Sequence, residues 1–479
     1  MTDQLLIASR KGDLSTVREL LKNNEDVNSV DQNGNTPLIL ASREDHLETV
    51  RELLKNKAEI NRANNYGMTS LMMASSEGHL EVVHKLLKKK AAVNLAEKYG
   101  NTSLMLASSK GHLKIVKKLL RRNPDLNLVT KEGMTSLMLA SSKGHLEITR
   151  KLLKKKAAVN LATKTGETAL MLASGGGYTE IVQELLKKNA DVNQVDENGK
   201  TSLMLASSQG HIHIIKELLK KEAKVNQIDN NSNSALIIAS HSGHLETVKE
   251  LIKNEANVNQ RDNYYNTALM WASGGGHLKI VQELLQNNAE VNLADHDGNS
   301  ALILASSGKH LDVLRELLKY NADVNQSDKN GDTALILASG GGHLQFLRDT
   351  PSRGCHLEIV QELLRNKADV NQVDINGNTA LIVASYLGHL HIVLELLKNN
   401  AEVDLVDQNG DTALIWASCG GHLEIVRELL RNKADINIVN TDGNTALLLA
   451  LRCGHFGIVQ ELIKIKQILI LLIKDILKL

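Results

Sequence analysis

Aromatic residues are scarce in this chain of 479 residues: two Phe, two Trp and seven Tyr, 2% in all. Apolar residues reach 42%, so the material for a large core is present. That core must be aliphatic, built from Leu, Ile, Val, Ala and Met. Cysteine is scarcer still. Cys355, Cys419 and Cys453 are an odd and sparse set. They exclude a disulfide framework and fit a reducing compartment. Neither charge sign dominates, with 56 Lys+Arg against 55 Asp+Glu, so the whole-chain charge points to no partner. Long apolar runs are missing. The longest, Ile468 to Ile473, has six residues, whereas a membrane-spanning helix needs about 20. The opening "MTDQLLIASRKGDL" has neither a basic n-region nor a long apolar h-region, so no secretory signal is expected. The expectation is a soluble, cytoplasmic protein.

Catalytic patterns are lacking too. "SGGGHLK" (Ser273 to Lys279) is glycine-rich but has no phosphate-loop Lys-Ser/Thr spacing. There is no H-E-x-x-H, no paired C-x-x-C and no nucleophile elbow. Twelve of the eighteen His recur in one slot, from His46 to His455. Successive slots should lie a helix-packing distance apart, roughly 8–10 Å, too far for a shared metal shell with ~2 Å bonds. A His bonded to its loop is the expectation. No enzyme activity, cofactor or metal is expected, and metal binding at Cys419 with His422 or Cys453 with His455 is disfavoured.

What the chain does have is a period. "TSLMLASSKGHL" occurs at Thr102–Leu113 and again at Thr135–Leu146. The residue that opens each turn falls at Asp31, Asn64, Glu97, Thr130, Thr163, Asp196, Asp229, Asp262, Asp295 and Asp328, always in steps of 33. After one step of 46 to Asp374, the spacing of 33 resumes at Asp407 and Asn440. With an incomplete first copy the count is fourteen. In the copy Asp196–Ile228, Asp196 and Gly199 form a turn and Thr201 caps a helix carrying Leu203, Met204 and Ala206. After Gly210 and His211, the spacing of Ile214, Ile215, Leu218 and Leu219 predicts a second helix. Helices this short are marginal alone, and each needs its neighbour to cover its apolar face. The fold class is all-α.

The turn-helix-helix unit and its period resemble the ankyrin repeat. The resemblance covers nearly all of residues 1–463 and implies an α-solenoid of about fourteen units with a concave face. "T-P-L" survives at Thr36-Pro37-Leu38; elsewhere it becomes "TSLM", "TALM", "TALI", "SALI" or "TALL". The family's His in that motif is always apolar here, as at Met105 and Ile303, so burial is expected to replace its inter-repeat hydrogen bonds. The spelling is also similar to the ankyrin block of kinase-D-interacting, membrane-spanning scaffold proteins. Asn193, Asn325 and Asn371 end "A-D-V-N", which the resemblance makes candidates for asparaginyl hydroxylation. Side-chain to backbone bonding explains their recurrence.

The chain divides into an incomplete capping repeat at 1–30, repeats at 31–344, an inserted loop at 345–357, repeats at 358–463 and an apolar tail at 464–479. By resemblance, partners bind the turn tips and the exposed positions of the first helices. Those positions form a small-residue floor (Ser109, Ser142, Gly175) that becomes Tyr386-Leu387, Cys419 and Arg452-Cys453. Tyr66, Tyr99, Tyr264 and Tyr265 sit at turn tips. Tyr265 and Ser232 replace turn glycines, so those turns must change shape or carry strain. From Glu97 to Ala162 fourteen basic residues face four acidic, a net of +10 that leaves −9 for the rest. Lys114, Lys117, Lys118, Arg121, Arg122, Arg150, Lys151, Lys154 and Lys155 concentrate on second helices. The tail repeats apolar residues in a heptad seam from Ile458 to Leu479.

The expected function is a non-enzymatic scaffold or adaptor that binds protein partners, with Tyr66, Tyr99, Tyr264, Tyr265, Tyr386, Leu387 and Arg452 as candidate contacts. The alternative is a peripheral membrane organiser that uses the basic patch at 97–162 and the tail on an anionic surface. Self-association through the tail is a further possibility. Nucleic acid is not an expected partner, because no aromatics interleave with the basic residues.

Overall fold

Repetition in sequence becomes repetition in packing. The computed structural model describes residues 4–340 and 356–476, the last ten as backbone only. They fall into two compact units, Met1–Asn230 and Asn231–Leu479. Among the described residues there are 28 helices in fourteen pairs, and no strand. Within each unit, the first helix of a repeat packs on the first helix of the next, and the second helices pair likewise.

A typical pair is Ser103–Ser109 and Leu113–Leu120. Thr102 caps the first helix: its Oγ accepts from the Met105 backbone N–H at 3.3 Å. The Met105 sulfur in turn accepts from the Thr102 N–H at 3.5 Å. Met72, Met138 and Met270 do the same. At these four positions methionine is therefore both buried and a local acceptor, whereas Ile303 supplies burial alone. Leu104, Met105, Ala107, Ile115, Val116 and Leu119 are almost completely buried. Side chains of this kind gain about 1.5–3 kcal/mol each on leaving water.

Within each unit, three hydrogen-bond ladders tie repeats to their neighbours. The first belongs to the recurrent His. His145 Nε2 contacts the Ser109 carbonyl at 3.1 Å, 36 residues back, and eight other His in this slot use Nε2 in the same way. The ring therefore bonds the preceding repeat and not its own loop, which corrects the sequence reading. It also lies so close to the preceding glycine that a Cβ on Gly111 (φ 81°) would stand 2.7 Å from His145 Cε1. The second ladder links turn tips, as where Lys131 N donates to Tyr99 O at 2.7 Å. The third runs through Asn side chains: Asn193 Oδ1 accepts from Lys224 N at 2.8 Å and Asn371 Oδ1 from Glu402 N at 2.9 Å.

The ladders bridge the 46-residue step as well. Asn330 O accepts from Ile375 N at 2.8 Å, and Asn325 Oδ1 from Asp369 N at 2.8 Å. The second helix after the insertion starts at His356 itself (His356–Arg365). Of the inserted loop, only His356 and Leu357 are among the described residues; Phe346, Pro351 and Cys355 lie outside them, as does His343. Among the described residues no helix is long and apolar enough to cross a membrane.

Candidate interaction surfaces

Every turn is organised by its opening residue. Asp262 Oδ1 accepts from Tyr264 N at 2.9 Å and Asn266 N at 2.8 Å, and its carbonyl accepts from Tyr265 N at 2.9 Å. That geometry demands a left-handed residue at the fourth position. Tyr265 adopts φ 65° and Ser232 φ 62°. The turns therefore keep their shape and carry the strain. Tyr265 gains contacts in return. Its ring is parallel to His296 with centroids 6.3 Å apart, and the Arg261 guanidinium lies 5.7 Å from its centroid. Tyr264 is 70% exposed. In the other unit, Tyr66 and Tyr99 are exposed on adjacent tips, with the Lys131 ammonium 6.0 Å from the Tyr99 ring.

On the first-helix face the floor ends in an aromatic step. Tyr386, 53% exposed, meets Trp416 of the next repeat edge-on at 4.9 Å. The Trp416 indole N–H donates to Asp407 Oδ2 at 2.9 Å. Trp271 is built identically, donating to Asp262 Oδ2 at 3.1 Å and packing 4.5 Å from His241. The sequence reading missed both tryptophans, although their shared register in "TALMW" and "TALIW" was a signal. Leu387 is exposed beside Tyr386, and Arg452 donates to Asn444 Oδ1 at 2.9 Å. The local Cys–His pairings are replaced by a thiol pair: Cys419 Sγ lies 3.7 Å from Cys453 Sγ, while His422 and His455 contact the Tyr386 and Cys419 carbonyls. Burial and the neighbouring thiol push the Cys419 thiol up from its ordinary pKa. Among the described residues, no group of three or more His, Cys, Asp or Glu is placed to hold a metal ion.

The turns of residues 328–374 bring carboxylates together. Burial and the Asp328 and Asp374 carboxylates push Asp332 up to about 7. Most equivalent positions hold Asn, whose amide donates to the opening Asp: Asn378 Nδ2 reaches Asp374 Oδ2 at 2.9 Å.

The outer face carries charge pairs. Arg18 reaches Glu52 of the next repeat at 3.2 Å, Arg315 reaches Glu362 at 3.0 Å and Arg427 reaches Glu461 at 2.8 Å. Arg150 belongs to this system, paired with Glu147 and Glu184, and so leaves the basic patch. Lys114, Lys117, Arg121, Arg122, Lys154 and Lys155 are exposed, and Lys118 and Lys151 half-buried, with no ion pair to any of them. The tail forms helix from Phe456 to Ile476, but Leu469, Leu472 and Ile476 of the heptad seam lie outside the described side chains and Leu479 outside the described residues.

Beyond this geometry, the comparisons give one match and one blank. The family pattern for ankyrin repeats (3 copies) matches residues 5–97, 90–163, 137–229, 172–262, 203–295, 269–348, 352–440 and 395–470. No curated protein matches the chain, so the likeness to kinase-D-interacting scaffolds has no support there. With its caps, paired helices and family pattern in phase along nearly its whole length, the chain belongs to the ankyrin repeat family.

Proposed function

We propose that this protein is a non-enzymatic scaffold or adaptor whose first-helix face and turn tips seat a protein partner, with the aromatic step at 386–453 as its anchor. Ankyrin repeats are protein–protein interaction modules, which supports the adaptor role in general. The observation that carries the anchor is the Tyr386–Trp416 contact. It is half-open, rigidified by the indole bond to Asp407, and placed where most other repeats offer Ser or Gly and Leu. Exposed Tyr and half-buried Trp are the side chains that dominate protein interfaces. Two unjoined thiols 3.7 Å apart suit the reducing cytoplasm.

The test exchanges the anchor for the letters of the other copies. Tyr386→Ser with Trp416→Leu should preserve the helical signal and abolish retention of the proteins that the unaltered chain captures. Retention of the same proteins by the double variant would remove the anchor from this end of the array.

A further inference from the structure

On the outer face a bond between successive second helices recurs along the chain, and in three consecutive repeats its carboxylate is replaced by lysine. At six places a residue on one second helix reaches a carboxylate 34 residues on, or 47 across the insertion: Arg18 to Glu52, Arg150 to Glu184, Gln282 to Glu316, Arg315 to Glu362, Gln361 to Glu395 and Arg427 to Glu461. The carboxylate is always the more covered partner of the ion pairs, for example 15% exposed at Glu52. It lies in the groove between two helices. Lys85, Lys118 and Lys151 occupy this groove position in successive repeats. The side chains that should meet a carboxylate there are Arg51, His84 and Lys117. Lys118 Nζ instead lies 3.5 Å from His84 Nδ1. On the helices Leu80–Lys88, Leu113–Leu120 and Leu146–Lys154, no basic side chain except Arg150 has an ion pair.

Each of these lysines puts a cation where the flanking repeats hold a carboxylate, and at Lys118 the neighbour it meets is His84 and not an acid. We propose that this face docks an extended acidic polypeptide segment, whose carboxylates take the places that Glu52 and Glu184 fill in the flanking repeats. Charge complementarity fixes the sign of the partner, and the repeat fixes its spacing. Neighbouring second helices lie roughly 8–10 Å apart, and an extended chain advances about 3.3 Å per residue. Every third residue of such a segment therefore meets the next lysine. A membrane is the poorer occupant, because these helices expose no large apolar side chain to enter it. A nucleic acid is poorer again. The face has no aromatic ring for stacking, and its charge is mostly Lys, a point charge without the phosphate-matching fork of Arg. The proposal is independent of the anchor at 386–453, which lies on first helices.

The experiment uses the full chain and a labelled peptide of about twelve residues with Glu at every third position. Lys85→Glu, Lys118→Glu and Lys151→Glu together restore the letters that flanking repeats carry, so the thermal midpoint should hold or rise while peptide affinity falls by about tenfold or more. The Lys→Gln triple variant, which adds no repulsion, should show a smaller loss. Binding by the unaltered chain should weaken as salt is raised. The proposal is overturned if the peptide fails to bind at low salt, if either triple variant binds as well as the unaltered chain, or if phosphatidylserine vesicles or duplex DNA bind more tightly than the peptide.

Discussion

The turn at 97–101 and the turn at 262–266 have one backbone and two different surfaces. In the first, Gly100 takes φ 87° and leaves Tyr99 beside it as the only ring on the tip. In the second, Tyr265 takes φ 65° and adds a ring stacked on His296. The same contrast runs along the first helices, where Ser109 and Leu139 give way to Tyr386 and Trp416. The difference teaches that contact with the next repeat fixes the backbone, while the side chain is free to vary wherever it points away from that contact.

The comparison breaks first at a glycine that does face its neighbour. Gly111→Ala places a Cβ 2.7 Å from the His145 ring and in left-handed backbone, so urea unfolding should show a loss of about 2–3 kcal/mol. A loss as small as that of an exposed turn substitution would mean the ring moves aside freely. Asp332→Asn comes next. Burial and the carboxylates of Asp328 and Asp374 push the Asp332 carboxyl up to about 7, well above the ordinary carboxylate range. Its contribution is therefore fully present below the unfolded pKa and lost as pH rises to about 7, above which the fold carries a repelled carboxylate. Asn, the residue of the neighbouring turns, should raise the melting temperature at pH 8 and do so little at pH 4; an equal gain at both would exclude the titration as its source.

Two smaller effects sharpen the contrast. Tyr265→Gly removes left-handed strain but also the ring contacts, so the net gain should stay below about 1 kcal/mol. A clear loss in calorimetry would make the tyrosine structural. Ser108→Ala should stabilise by up to about 1 kcal/mol, because the Ser108 hydroxyl is fully buried and has no hydrogen-bond partner. A drop in the unfolding midpoint would assign that hydroxyl an unseen bond.

Local features were legible in the sequence because they depend on neighbours in the chain. The 33-residue step, the Thr cap and the buried Leu, Ile and Val faces are all of this kind. Contacts between repeats depend on a spatial offset that the letters do not announce. The bond from His145 to Ser109 spans 36 residues, the pair from Arg18 to Glu52 spans 34, and the Cys419–Cys453 contact spans 34. Cys419 was read against its sequence neighbour His422, and that is why the thiol pair was missed. At Tyr265 the letters posed the choice between strain and a new turn shape, and only the backbone resolved it.

The inter-repeat ladders have a consequence for how such a chain changes length. In two of them the receiving group is backbone, so almost any residue can take the next place. Removing the 33 residues from Thr102 to Met134 would join Asn101 to Thr135, and the twelve letters that follow would be the same as before. Asn94, which now accepts from Asp125 N, would accept from Ala158 N, and the His145 ring would cover Gly78 in place of Gly111. A recombination event anywhere in the shared string thus leaves no foreign junction. The array can gain or lose whole units while every remaining contact is of a kind it already contains.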